Sequence, residues 1–188
     1  MKLPIVAYGE PVLKKVAADI DDTYPDLPQL IENMFDTMYA ASGVGLAAPQ
    51  IGLSIRLFVI DATPFAEDDA ALIDFKKVFI NAQILEESGK EWKFNEGCLS
   101  IPDIREDISR KPELILSYYD ENWNHHEEKF DGLAARVIQH EYDHIEGKLF
   151  TDRISTLRKT LLKSKLDAIA KGNVKTGYKM RFASKKKK

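Results

Sequence analysis

The sequence predicts an α+β fold: small antiparallel or mixed sheets around a central metal-binding helix, with helices toward both ends of the chain. Three observations predict it. Apolar residues recur at helical spacing over residues 28–41, 132–146 and 155–171. Strand-like runs lie between them at 55–61, 78–85, 113–119 and 127–130. The middle helical stretch ends in His140-Glu141-Tyr142-Asp143-His144, a His-Glu-x-x-His run.

At 188 residues, 44% hydrophobic and 30% charged, the chain suits one soluble domain with a usable core. A single catalytic domain is expected over residues 1–171. No apolar run approaches the ~20 residues of a membrane span. The opening Met1-Lys2-Leu3-Pro4-Ile5-Val6 lacks the long apolar stretch of a signal peptide. One cysteine excludes an internal disulfide and fits a reducing, cytoplasmic location. The net charge of −3 is unevenly placed: residues 171–188 carry eight basic and no acidic residues, which leaves −11 for residues 1–170. An acidic body with a basic tail, 172–188, implies that the tail and not the body meets something anionic. A solvated, disordered end fits the same composition.

In chain order, residues 11–17 read as a short N-terminal helix, and a Pro-bracketed acidic stretch follows over 19–28. Leu30, Ile31, Met34, Phe35 and Met38 form the apolar stripe of the helix over 28–41, which ends near Gly43. Residues 43–52 are small, apolar and glycine-punctuated, with Gln50 their single polar side chain. They suit a tight helix-to-strand connection or a backbone that a ligand approaches closely. They lack the Gly-Lys-Ser/Thr of a phosphate loop. The acidic insert over 65–74 reads as an exposed loop between two strands, and 86–93 as a polar stretch containing a turn. Strands 113–119 and 127–130 pair across a connection in which His125 and His126 are solvated. Ile154, Leu157, Leu161, Leu162, Leu166 and Ile169 mark the last helix, which Gly172 stops.

His140 and His144 are four residues apart, so on a helix they stack on one face within reach of one small cation. Glu141 lies about 100° round the helix, placed to take a proton rather than to ligate. A plain polar helix face would carry the same residues, so a third ligand decides. Downstream of Glu146 the only acidic residues are Asp152 and Asp167, and no His or Cys follows. Gly147 fits the metzincin extension, but the position that needs its third His is Phe150. The ligand must come from upstream. Cys98, in Asn95-Glu96-Gly97-Cys98-Leu99-Ser100, is either a buried small hydrophobe or that ligand. A Cys/His/His set leaves a fourth coordination position open, as catalytic sites do, and spacing alone points to zinc.

Three segments together resemble peptide deformylase of the bacterial type: Gly43-Val44-Gly45-Leu46-Ala47-Ala48-Pro49-Gln50, Glu96-Gly97-Cys98-Leu99-Ser100 and Gln139-His140-Glu141-Tyr142-Asp143-His144. They stand in the family's order, and the resemblance covers about residues 1–170. It implies hydrolysis of the N-formyl group from the formylmethionine of new polypeptides. Cys98, His140 and His144 would hold the metal, ferrous iron with zinc, nickel or cobalt able to substitute. Glu141 would be the base, and the Gln50 amide and the Leu99 N–H would be oxyanion donors. An extended substrate would pair with Gly45 beside a methionine pocket lined by Val44 and Val137. The expected partners are N-formylmethionyl nascent peptides and, through the last helix and basic tail, the ribosome; neither DNA nor a membrane is expected. Two other classes share the motif: a zinc endopeptidase, and a non-catalytic module with a structural metal. A structural site needs four protein ligands, and three are found.

Overall fold

Leu57-Phe58-Val59-Ile60 is apolar at every position, and a strand of that kind has no face for water. In the computed structural model, which describes residues 1–183, this strand lies between two helices. In chain order the described elements are β1 (Ile5–Val6), α1 (Leu27–Ala40), β2 (Gly45–Ala47), β3 (Leu57–Asp61), β4 (Lys76–Ser88), β5 (Trp92–Cys98), β6 (Ile101–Arg110), β7 (Glu113–Tyr119), β8 (His125–Asp131), α2 (Gly132–Ile145), α3 (Thr156–Ala170) and β9 (Met180–Arg181). Leu57 and Val59 of β3 pack with Ile31, Met34, Phe35 and Met38 of α1. Phe58 and Ile60, on the other face, pack with Ala135, Val137 and Ile138 of α2. The α+β reading is correct: a sheet ordered β2-β3-β4-β7-β8 is antiparallel throughout and is covered on both faces at β3. Met34 and Met38 are fully buried, and truncating such a side chain to alanine costs about 2–5 kcal/mol.

A second sheet, the β5–β6 hairpin, was not visible in the sequence. Along β6 burial alternates strictly from Asp103 to Arg110, but the inward positions are Ile104, Glu106, Ile108 and Arg110. Two of these four are charged, so the apolar-polar alternation that marks a strand is broken. Each buried charge has a partner: Arg158 of α3 forks onto Glu106 at 2.5 and 3.0 Å, and Arg110 donates to Glu96 and Asp143. Ser155 caps α3: its hydroxyl accepts from the Arg158 N–H at 3.3 Å, a cap worth ~1 kcal/mol. Its Leu162, Leu166 and Ile169 pack against Ile104 and Ile108.

Several expectations need correction. Residues 11–17 make only a 3₁₀ turn over Pro11–Lys14. The insert over 65–74 is not a plain exposed loop: it follows one 3₁₀ turn over Thr63–Phe65, holds another over Ala70–Leu72, buries Leu72 and packs Phe65 against the core. β4 runs past its expected end at residue 85 to Ser88, and the turn expected within 86–93 follows at Gly89. His125 and His126 belong to β8 and pair with Tyr119 and Tyr118; His126 stacks on Tyr118 and contacts Asp120 at 2.9 Å. Of the basic tail, the described part lies on the body. Val174, Tyr178, Met180 and Phe182 turn inward, while Lys175, Lys179 and Arg181 face solvent. β9 pairs in parallel with β1, where the Ile5 N–H donates to the Lys179 carbonyl at 2.9 Å and the Ala7 N–H to the Arg181 carbonyl at 2.8 Å. Lys185 to Lys188 lie outside the described residues. No described helix is long and apolar enough to cross a membrane.

Candidate metal centre

α2 is too polar for a helix packed on a sheet: Arg136, Gln139, Glu141, Asp143 and His144 are all buried. Its apolar stripe faces the sheet, and its polar stripe faces the β5–β6 hairpin. Arg136 donates to Glu96, to the Ile108 carbonyl and to the Trp92 carbonyl at 3.0, 2.9 and 2.7 Å, and its guanidinium lies 4.5 Å from the Trp92 ring. Arg110 forks onto both oxygens of Glu96 at 2.8 and 2.9 Å and reaches Asp143 at 2.8 Å. Arg153 closes the chain on Asp143 at 2.6 Å. Burial pushes the Glu96 and Asp143 carboxyls up, but their arginine partners outweigh it and hold both below the ordinary range. These pairs fix the hairpin, and with it Cys98, against α2.

Donor atoms of Cys98, His140 and His144 lie within 4.8 Å of one another. Nε2 of His144 is 3.4 Å from the Cys98 sulfur. The Nδ1–H of His140 points at Glu96 Oε2, 2.9 Å away, which leaves Nε2 of that ring as the ligating nitrogen. The set fits a divalent cation. Burial keeps His144 well below the ordinary imidazole value, so its lone pair is available. Burial opposes a charge on His140, yet Cys98, Glu96 and Glu141 together push it well above its ordinary value, the mark of a place that favours positive charge. Glu141 is buried, its Oε2 has no hydrogen-bond partner, and burial raises its carboxyl to about 7 against the pull of His140.

Gln50 is held by the loop that follows β2. Its Oε1 accepts from the Ala47 N–H at 2.9 Å, which turns the amide nitrogen toward the Cys98 sulfur and the Ser100 hydroxyl, each 3.5 Å away. Gly45 touches Glu141 directly: a Cβ there would overlap the carboxylate. Val44, Gly45, Gln50, Cys98, Leu99, Val137, His140 and Glu141 all border one cleft of about 660 Å³, and His144 lies buried beneath it. β2 is an edge strand with its outer side unpaired among the described residues.

Three residues of the site were missed from sequence. Glu96 holds His140 and two arginines; its place two residues before the candidate ligand was the available signal. Phe65 lines the cleft from the insert, and no pattern marked it. Tyr178 reaches the cleft from the tail and donates to the Leu99 carbonyl at 2.8 Å. Burial raises its phenol to about 12, so it remains a donor.

The sequence profile described as Polypeptide deformylase matches residues 2–160. A peptide deformylase of Christiangramia forsetii is 61% identical over 100% of this chain and 99% of its own length. One from Flavobacterium johnsoniae is 57% identical over 100% and 99%. Among solved structures, a peptide deformylase from Legionella pneumophila superposes with a TM-score of 0.80 at 37% identity, covering 92% of this chain and 98% of that one.

Proposed function

The chain belongs to the polypeptide deformylase family, and from that premise we propose which of its side chains carry the reaction. It is a metal-dependent hydrolase that removes the N-formyl group from the formylmethionine of newly synthesised polypeptides and releases formate. The observation that carries the assignment is the Cys98, His140 and His144 donor set, bordered by the Gln50 amide and the Glu141 carboxylate.

Cys98, His140 and His144 hold the cation, with Glu96 fixing the His140 ring. When bound, the cation supplies a Lewis acid that polarises the formyl carbonyl and acidifies water. Glu141 takes the proton of the attacking water and later hands it to the departing amine. Confinement against Gly45 keeps its carboxylate on that line. Gln50 Nε2 and the Leu99 N–H donate to the formyl oxygen as it gains charge; one such donor is worth about 3 kcal/mol in the transition state. The substrate backbone adds to the outer edge of β2 at Gly45, and Val44, Val137 and Phe65 receive the methionine side chain. The ion is ferrous iron on the strength of the resemblance. A thiolate and two imidazoles also suit zinc, nickel and cobalt. Anaerobically prepared protein should release formate from a formyl-Met peptide, with about one metal per chain in the same sample. Cleavage of internal peptide bonds instead would favour an endopeptidase.

The working place is the cytoplasm, beside ribosomes. α3 exposes Leu157 and Leu161 among Arg158, Lys159, Lys163 and Lys165, a surface suited to ribosomal RNA and protein. Lys163→Glu with Lys165→Glu should weaken ribosome co-sedimentation most at low salt, with a shallower salt dependence than the parent, and leave formate release from short peptides unchanged. Equal co-sedimentation would remove the ribosome from this account.

A further inference from the structure

Leu99 occupies a poorly supported place. It lies in the turn between β5 and β6, just where the hairpin register shifts between Gly97 and Cys98. The ladder therefore does not fix its peptide. Support comes from outside the hairpin. The Tyr8 N–H donates to the Ser100 carbonyl at 2.8 Å, and the Tyr178 hydroxyl donates to the Leu99 carbonyl at 2.8 Å. Two consecutive carbonyls of the turn are thus held by donors from opposite ends of the chain. Those ends are tied to each other by the β1–β9 pair. Gly43 leaves room for the Leu99 side chain: a Cβ there would sit 2.8 Å from Leu99 Cδ1. Lys175, Thr176, Gly177 and Tyr178 themselves border the cleft.

We infer that the segment after α3 is a wall of the substrate cleft, and that Tyr178 is a positioning residue: its hydroxyl anchors the Leu99 carbonyl, on the peptide group next to the one that carries the Leu99 N–H, and so limits how far residue 99 can tilt that N–H away from the formyl oxygen. The inference rests on the proposed role of the Leu99 N–H as an oxyanion donor. A donor that is free to tilt still meets substrate, but it meets the transition state less well, so the loss falls on kcat rather than on KM. Lys179 and Arg181 then face solvent from a segment whose residues 175–178 complete the active site.

Tyr178→Phe keeps the ring and its packing and removes only the hydroxyl. One neutral hydrogen bond is worth about 1 kcal/mol, so kcat should fall about five-fold, with KM, metal content and Tm close to those of the parent. Phe182→Leu loosens the same segment without touching the hydroxyl; it should lower Tm and leave kcat within about two-fold. Parental kcat in Tyr178→Phe would overturn the inference. So would an equal loss of kcat in Phe182→Leu, which would make the role one of general packing. Gln50→Ala run in parallel separates the two levels: if it loses activity while Tyr178→Phe does not, the oxyanion reading stands and this inference fails. If neither changes kcat, the oxyanion reading itself is at fault.

Discussion

Glu96 Oε2 and His140 Nδ1 are 2.9 Å apart, and that contact joins the hairpin carrying the thiol to the helix carrying the imidazoles. The same carboxylate neutralises Arg110 and Arg136 inside the protein. Glu96→Ala would leave two buried guanidinium groups without their shared anion. Breaking a buried pair in this way costs about 3–5 kcal/mol, and losing the partner of a ligating His weakens metal binding about 10–100-fold. Thermal denaturation and chelator competition on one sample should show both losses. Parental metal affinity in a folded Glu96→Ala protein would deny the link between hairpin and ligand.

Gly45→Ala tests the confinement of the base. The added methyl group meets the Glu141 carboxylate and must displace it. Metal content should stay at the parental level while kcat falls about 10²-fold, the usual cost of a misplaced catalytic group.

Three variants should divide the centre by role. Cys98→Ser should lose most of the bound metal, because a hydroxyl is a much poorer ligand than a thiolate. Glu141→Ala should keep the metal and lose turnover. Gln50→Ala should keep the metal and cost about 10²–10³-fold in kcat, the loss expected for one oxyanion donor. Normal deformylation by Glu141→Ala would mean that another group moves the proton.

Acid should weaken the fold through the buried pairs. Glu96 and Asp143 are held below their ordinary values of 4.5 and 3.8 in the folded chain. A depressed carboxyl contributes stability that is fully present above its unfolded value and is lost as pH falls toward the folded one. The loss therefore begins below about pH 4.5 and deepens with further acid. Asp143→Asn should be less stable at pH 7 and should show a shallower decline below pH 4.5. Denaturant midpoints measured from pH 7 to pH 3 give the comparison. Parallel curves for parent and variant would remove Asp143 from the acid response.

How much was readable depended on where the charges sit. β3 was legible because Leu57 to Ile60 are all apolar, and α1 because its buried face is apolar except for Asn33 and Thr37. α2 was legible through its motif, although half of its buried residues are polar or charged. β6 was not, because Glu106 and Arg110 point inward and are neutralised by residues distant in the chain. The packed segment of the tail was hidden likewise: Lys175, Lys179 and Arg181 dominate its composition, while Val174, Tyr178, Met180 and Phe182 turn inward among them. Nothing local tied Tyr178 to Leu99, since that contact exists only once β1 and β9 are paired. Cys98 was found through the need for a third ligand upstream of the helix, and Gly45 and Gln50 took their roles from the resemblance.

β2 is only three residues long. At about 3.3 Å per residue it offers roughly 10 Å of main chain to a guest. A guest gripped over so short a span is sampled for two or three residues and then ignored. On the proposed pairing, substrate residues beyond that span meet no main chain of β2.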